Sequence, residues 1–123
     1  MVSFKTFTKK VSDAEGIELC TKVTTLFPTL VEHGIMIMNA DGKNEFTNQG
    51  ANAFDRLMRK TIFGDDIGNM GQDLIIEMYG LMHFDDDGKY SITNEGIYTT
   101  FAYFIYCGKT NEEIVGMLKE YWN

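Results

Sequence analysis

Two histidines, two cysteines and a run of three aspartates are the side chains best suited to chemistry in this chain. His33 and His83 have no cysteine near them in sequence, and Cys20 and Cys107 form no CxxC pair. The sequence contains no glycine-rich phosphate loop, HExxH motif or nucleophile elbow. Acid–base chemistry would depend on the aspartates at 85–87, which a hairpin tip explains better. We therefore expect a non-enzyme without a cofactor, with both thiols reduced and buried.

A metal site is the next candidate. His83, Asp85 and Asp87 alternate along one strand and could hold a divalent ion on one face. The two Asp-Gly turns also resemble EF-hand loops, with Gly42 and Gly88 at the sixth position. Neither loop has the carboxylates that calcium requires at the first and twelfth positions. A solvated turn is the simpler explanation, and we expect no metal.

The strongest pattern in the chain is an internal repeat. GIMIMNADGKNEFTNQG (34–50) and GLMHFDDDGKYSITNEG (80–96) lie at a constant offset of 46 residues and are identical at eight of seventeen positions, where chance predicts roughly one identity. The identical pairs are Gly34/Gly80, Met36/Met82, Asp41/Asp87, Gly42/Gly88, Lys43/Lys89, Thr47/Thr93, Asn48/Asn94 and Gly50/Gly96. We infer a duplication within a single compact domain of residues 1–123, with repeat 1 at about 28–64 and repeat 2 at about 65–122.

Each copy predicts a β-hairpin followed by a helix. A short apolar strand, a turn with glycine and a return strand predict hairpins at 34–47 and 80–93. Thr47 and Thr93 are typical N-caps for the helices that follow. The predicted fold class is α+β, mainly helical, with the two hairpins in a duplicated helix-hairpin-helix arrangement.

Helices are also predicted outside the repeated stretch. Capping boxes at Ser12 with Glu15 and at Thr110 with Glu113 predict an N-terminal and a C-terminal helix. We expect Pro28 to bend or restart the first of these. A linking helix is predicted over 65–79.

The helices that follow the two hairpins differ in character. The helix at about 48–62 is amphipathic, with Arg56, Arg59 and Lys60 expected on its solvent side. The helix at 94–107 is aromatic on several sides. It is either the central helix of the core or the interface of a homodimer.

Charge separates the two halves of the chain, whose formal net charge is −7. Residues 1–61 carry eight basic and seven acidic side chains, a net of +1, whereas residues 62–123 carry three basic and eleven acidic ones, a net of −8. An acidic half repels phosphate backbones and favours a partner protein with a basic surface. Plain solubility is the alternative explanation.

The stretches LIIEMYGLMHFDDDGKYSITNEG (74–96) and TLVEHGIMIMNADGKNEFTNQG (29–50) resemble the wing and flanking helices of winged-helix proteins. In that family the helix before the wing enters the major groove, and basic wing residues contact phosphates. The corresponding segments here, 72–79 and 28–33, carry no lysine or arginine. Under this resemblance the phosphate contacts would be Lys43, Arg56, Arg59, Lys60 and Lys89.

Three functions remain open. The first is a small acidic interaction protein that binds, and inhibits, a host or partner protein; size and composition resemble bacteriophage accessory proteins, including inhibitors of nucleic-acid machinery. The second is a winged-helix transcriptional regulator, and the third a structural or assembly component. The expected partner contacts of the first are Asp65, Asp66, Asp85, Asp86, Asp87, Tyr90, Tyr98, Tyr103 and Trp122.

The sequence also predicts where the protein acts. The apolar run at 97–107 is too short to span a bilayer, and the first ten residues lack the apolar stretch of a secretory signal. We expect a cytoplasmic protein that does not bind membranes.

Overall fold

The computed structural model describes Phe4, Phe7 and residues 13–64, 80–84, 86–87 and 90–122; at 13, 14, 84 and 90 it describes the backbone alone. Several predicted features lie outside the described residues. They are Ser12, the linking helix at 65–79, Gly88, and the candidate contacts Asp65, Asp66, Asp85 and Lys89.

The described chain is mainly helical and carries two antiparallel hairpins, so the predicted α+β class is confirmed. The elements are α1 (Asp13–Glu32), β1 (Met36–Met38), β2 (Asn44–Phe46), α2 (Asn48–Phe63), β3 (Met82–Phe84), β4 (Tyr90–Ile92), α3 (Asn94–Tyr106) and α4 (Asn111–Lys119). Both hairpins lie within the predicted ranges. Their registers correspond, since Met36 pairs with Phe46 in the first hairpin and Met82 with Ile92 in the second.

The first helix passes through Pro28, so the expectation that the chain restarts there is wrong. Proline has no N–H and removes one hydrogen bond from the helix interior. Here the apolar residues on both sides hold the helical path. Leu26 and Leu30 are fully buried and Phe27 is 9% exposed, whereas Pro28 itself faces solvent.

The turn from α1 into β1 requires a left-handed residue. Gly34 has φ +74°, and its N–H donates to the carbonyl of Val31 while the N–H of Ile35 donates to that of Leu30. This is a Schellman motif, which satisfies the last carbonyls of the helix. Gly80 has φ +73° at the equivalent position before β3.

Helix α3 is the central helix of the core, which is the first of the two alternatives predicted for 94–107. Phe101 is fully buried, and Ala102 and Phe104 are nearly so. Helix α1 packs along α3. The ring of Phe101 also meets that of Phe54 from α2, edge to face, with centroids 5.1 Å apart. One core therefore joins both repeats.

A close contact between each helix and its own hairpin explains the conserved spacing of the repeat. At Gly50 in α2, a β-carbon would collide with the carbonyl oxygen of Ile35. At Gly96 in α3, it would collide with the carbonyl oxygen of Leu81. Only glycine lets the first turn of the helix approach the strand this closely.

Threonine fixes the same contact by hydrogen bonds. The Thr47 hydroxyl accepts from the N–H of Gly50 at 3.1 Å and lies 3.0 Å from the Gly34 carbonyl, to which it donates. Thr93 does the same with Gly96 at 2.9 Å and Gly80 at 2.6 Å. The predicted N-caps are therefore confirmed, and each also ties its helix to the residue that precedes the strand.

At one of the buried positions where the two copies differ, an apolar side chain corresponds to a polar one. Phe54 of α2 corresponds to Thr100 of α3, and both are fully buried. The Thr100 hydroxyl makes no hydrogen bond with any described residue. A buried hydroxyl without a partner loses its hydrogen bonds to water and gains none in exchange.

We expect Gly50→Ala and Gly96→Ala each to destabilise the protein by about 1–3 kcal/mol or more, because the added methyl meets backbone that cannot move aside. Gly116→Ala in α4 is the matched control, since a β-carbon there has no atom within 4 Å. That change should stabilise by about 0.5–1 kcal/mol through helix propensity. Urea unfolding followed by circular dichroism measures all three; equal effects at the three glycines would contradict the contact.

Thr100→Val should stabilise the protein by about 1 kcal/mol, because it replaces the unpartnered hydroxyl with a methyl of similar size. Thr100→Ser keeps the hydroxyl and removes the methyl, and should destabilise. The midpoints of urea unfolding give the order valine, threonine, serine from most to least stable. A less stable valine variant would mean that the hydroxyl has a partner.

Candidate functional site

A groove of about 510 Å³ lies between the two hairpins. Strand β2 and the first turns of α2 form one wall, and residues from β3, β4 and the first turn of α3 form the other. The lining residues are Asn44, Glu45, Phe46, Ala51, Asn52, Asp55, Met82, Ser91, Ile92, Asn94 and Ile97. The volume is within the range of binding pockets in proteins.

The walls of the groove are equivalent parts of the two repeats. Three pairs of lining residues are related by the same offset that relates the repeats in sequence. These pairs are Glu45/Ser91, Phe46/Ile92 and Ala51/Ile97. The groove therefore exists because the unit is duplicated, and one copy alone could not form it.

The floor of the groove is apolar and joined to the core. Phe46 packs on Phe54 with ring centroids 4.9 Å apart, and Met82 is only 2% exposed. Amides, one hydroxyl and two carboxylates surround this floor. Such a surface can bury an apolar side chain and bind polar groups at its edges.

Among the described lining residues of the groove, the two charged ones are acidic. Glu45 is exposed and accepts a hydrogen bond from the Asn39 side chain at 2.9 Å. Asp55 is paired with Arg59, whose Nε lies 3.0 Å from its Oδ1. No lysine, arginine or histidine is among the described lining residues. Since Asp55 is neutralised by Arg59, the preference of the groove for a cationic group depends mainly on Glu45.

Two of the predicted acidic contacts lie at the tip of the second hairpin. Asp86 and Asp87 form the turn between β3 and β4, and both are exposed. Asp65, Asp66 and Asp85 lie outside the described residues. At Tyr90 the structure describes the backbone in β4 and not the side chain.

The predicted aromatic contacts are less exposed than expected. Tyr98 is half-buried and packs edge to face on Phe27, with ring centroids 5.6 Å apart. Trp122 is half-buried too, and the Lys119 ammonium lies 3.8 Å from its ring centroid. The same ammonium donates to the His33 carbonyl at 2.9 Å, so Trp122 helps hold the end of the chain against the turn after α1.

Tyr103 is buried, and its expected exposure is wrong. It is 7% exposed, and the rings of Phe4 and Phe7 cover it edge to face at 5.4 Å each. Burial, with a hydrogen bond to the Cys107 side chain and repulsion from that group, raises the pKa of the Tyr103 hydroxyl above its usual value. A partner could reach this ring only by displacing the two phenylalanines.

The basic candidates divide into exposed and buried side chains. Lys43 at the tip of the first hairpin is exposed, as are Arg56 and Lys60 on the outer side of α2. The expectation that Arg59 faces solvent is wrong, since its side chain is 13% exposed. It lies beside Asp55, and its Nη2 is 3.9 Å from the Met82 sulphur.

The histidines and cysteines are dispersed. His33 and His83 are both exposed. Cys20 is exposed and Cys107 half-buried, both as free thiols, so the expectation of two buried thiols is wrong for Cys20. It follows Leu19 on α1 and falls outside the apolar stripe of that helix. Among the described residues no three side chains of histidine, cysteine, aspartate or glutamate come together as a metal site would require.

Sequence reasoning missed the groove, although a signal for it was present. Phe46 and Ile92 occupy equivalent positions in the two return strands, which the offset of the repeat shows. Alternation along each strand shows which side faces the core, but the sequence holds no information about which strand edges of two separate hairpins face each other.

The chain matches no known protein family, no curated protein and no solved structure. The winged-helix resemblance therefore stays a prediction from two stretches of sequence. None of the described helices combines the length and the apolar character needed to cross a membrane.

Arg59→Ala should destabilise the protein by about 1–3 kcal/mol, because the largely buried Asp55 loses its ion pair and Met82 loses a packing neighbour. Arg56→Ala, on the solvent side of the same helix, should change stability by no more than about 0.5 kcal/mol. Thermal unfolding at low and high salt compares the two variants. Small and equal effects of the two substitutions would mean that the Arg59 side chain is exposed to solvent, as the Arg56 side chain is.

Proposed function

We propose that this protein is a non-enzymatic interaction protein that binds a partner protein with a basic surface and inhibits it. The observation that carries the proposal is the groove between the hairpins. Its floor is apolar, and the charged residues of its described lining, Glu45 and Asp55, are carboxylates. Because Arg59 pairs with Asp55, Glu45 is the lining carboxylate that would meet a basic partner. A surface of this kind complements lysine and arginine side chains.

The acidic second repeat supports the same proposal. Asp86 and Asp87 are exposed at the tip of the second hairpin, where the first hairpin has Ala40 and Asp41. Together with the net charge of −8 over residues 62–123, these carboxylates would raise the rate at which a basic partner is encountered.

Inhibition is the effect that such a surface would have on nucleic-acid machinery. A basic protein surface that holds a phosphate backbone is attracted equally by clustered carboxylates. An acidic protein bound there would compete with nucleic acid for the same site. We place this activity in the cytoplasm, as the sequence predicts, and attribute no catalytic step to the protein.

A DNA-binding regulator is the second candidate, and the exposed cations of repeat 1 favour it. Lys43 is at the tip of the first hairpin, and Arg56 and Lys60 lie one helical turn apart on α2. Three cations could contact phosphates and would make binding fall with added salt. Such regulators normally act as dimers, for which the partly exposed Tyr106 at the end of α3 is a candidate contact.

Capture of partners from lysate of the encoding organism, with and without nuclease, tests the proposal. We expect one protein at near-equal stoichiometry, retained after nuclease and weakened by salt. The double variant Asp86→Asn and Asp87→Asn should reduce its recovery several-fold, because neutral amides keep the shape of the turn and remove two charges.

Asp41→Asn is the matched control. Asp41 occupies the position in the first hairpin that Asp87 occupies in the second, so it is compared with the single variant Asp87→Asn, which removes the same one charge from the acidic repeat. With Asp41→Asn we expect recovery to stay within twofold. Loss of every specific partner on nuclease treatment would contradict the proposal and favour DNA binding, which Arg56→Ala with Lys60→Ala should then weaken.

A further inference from the structure

The outer edge of β2 borders the groove, and none of the described strands pairs with it. In an antiparallel pair, residues that exchange both hydrogen bonds alternate with residues whose backbone groups point away from the partner strand. The N–H of Thr47 donates to Ile35, and the N–H of Asn39 donates to Lys43. The intervening hydrogen-bonded pair is therefore Ile37 with Glu45.

In the residue pairs on either side of Ile37 and Glu45, the backbone N–H and C=O groups point away from the partner strand. In β2 these residues are Asn44 and Phe46, which pair with Met38 and Met36 without exchanging hydrogen bonds. Both line the groove. Their N–H and C=O groups consequently face it, and no backbone hydrogen bond joins β2 to any described strand other than β1.

The second hairpin has the same pattern. The N–H of Thr93 donates to Leu81, so His83 and Ser91 form the next hydrogen-bonded pair. Ile92 then directs its backbone groups away from β3, and it too lines the groove. The groove is therefore bordered by the outer edges of two strands from different hairpins, and no described strand pairs with either edge.

A free strand edge beside an apolar floor is the geometry that binds extended peptides by strand addition. Along an added strand, side chains point alternately to the two faces. On one face they would meet Phe46 and Ile92, and on the other face they would meet Glu45 and Ser91. An occupant with apolar residues alternating with lysine or arginine complements both faces.

We propose that the groove binds an extended basic segment of the partner protein, which pairs with the outer edge of β2 through the backbone of Asn44 and Phe46. The segment's apolar side chains lie on the groove floor and its cationic side chains lie beside Glu45. The inference rests on the proposed function, since it specifies how the basic partner is recognised. Three residues of β2 span roughly 10 Å, so the paired segment is short.

The test uses a ten-residue peptide of alternating lysine and valine with blocked ends, titrated into the ¹⁵N-labelled full chain. We expect saturable shifts of the Asn44, Phe46 and Ile92 amide signals, and slower hydrogen exchange at the amides of Asn44 and Phe46. A peptide with glutamate in place of lysine should not bind. A peptide with proline at its two central valines should bind several-fold more weakly, because it loses main-chain donors.

Asn44→Pro and Asn44→Ala form a matched pair of variants. The Asn44 N–H faces the groove and not β1, so proline removes it without breaking a hydrogen bond of the hairpin. We expect Asn44→Pro to weaken binding roughly three- to tenfold, the loss of about one main-chain hydrogen bond. Asn44→Ala removes the same side chain and keeps the N–H, so it should bind roughly three- to tenfold more tightly than Asn44→Pro.

The outcomes separate this inference from the proposed function. Equal affinity of the proline and alanine variants, or shifts confined to the turn at Asp86 and Asp87, would overturn strand addition while leaving an acidic interaction protein in place. Absence of saturable binding by the lysine peptide would overturn the inference. Failure of the proposed function itself would appear separately, as loss of all partners from lysate on nuclease treatment. If Asn44→Pro unfolds, the test is hydrogen exchange at the Phe46 amide of the unsubstituted protein. Slower exchange with the lysine peptide bound would support strand addition, and unchanged exchange would overturn it.

Discussion

The packing of a helix N-terminus against a strand carbonyl is the constraint on which the rest of this structure depends. Gly50 and Gly96 bring α2 and α3 against the carbonyls of Ile35 and Leu81, and a threonine hydroxyl fixes each contact by bonding both to the helix and to the residue before the strand. The contact sets the angle at which each helix leaves its hairpin. The same contact occurs in both repeats, and the return strands β2 and β4 border one groove.

Divergence of the two copies made one helix central and left the other amphipathic. At Leu57 and Tyr103, which correspond by the offset of the repeat, both side chains are buried. They are covered differently, since the N-terminal Phe4 and Phe7 pack on the tyrosine. At the next pair, Met58 is fully buried and Phe104 nearly so. Helix α3 thus acquired neighbours on more sides, and α2 kept a wet face with Arg56 and Lys60.

Local patterns predicted the local structure well. The repeat, both hairpins, the caps at Thr47 and Thr93 and the capping box at Thr110 follow from short-range chemistry, and all are present. Helical periodicity was less reliable as a predictor of which side chains are exposed to solvent. Arg59 and Tyr103 were placed on wet surfaces, yet each is covered by an element distant in sequence, by the second hairpin in one case and by the N-terminal segment in the other. The groove could not be predicted from the sequence for the same reason, because its walls come from elements that are distant in sequence and meet only through tertiary packing.

Open strand edges carry a risk of self-association that this chain limits in several ways. Each strand is three residues long, which offers little template for a second copy. Glu45 lies at the groove edge of β2, so two copies that paired through β2 would bring like charges together. The same carboxylate that discourages self-pairing would attract a segment rich in lysine. Under the proposed function, selectivity for a basic strand and protection against self-pairing would therefore arise from one residue, Glu45, on a short strand edge with which no described strand pairs.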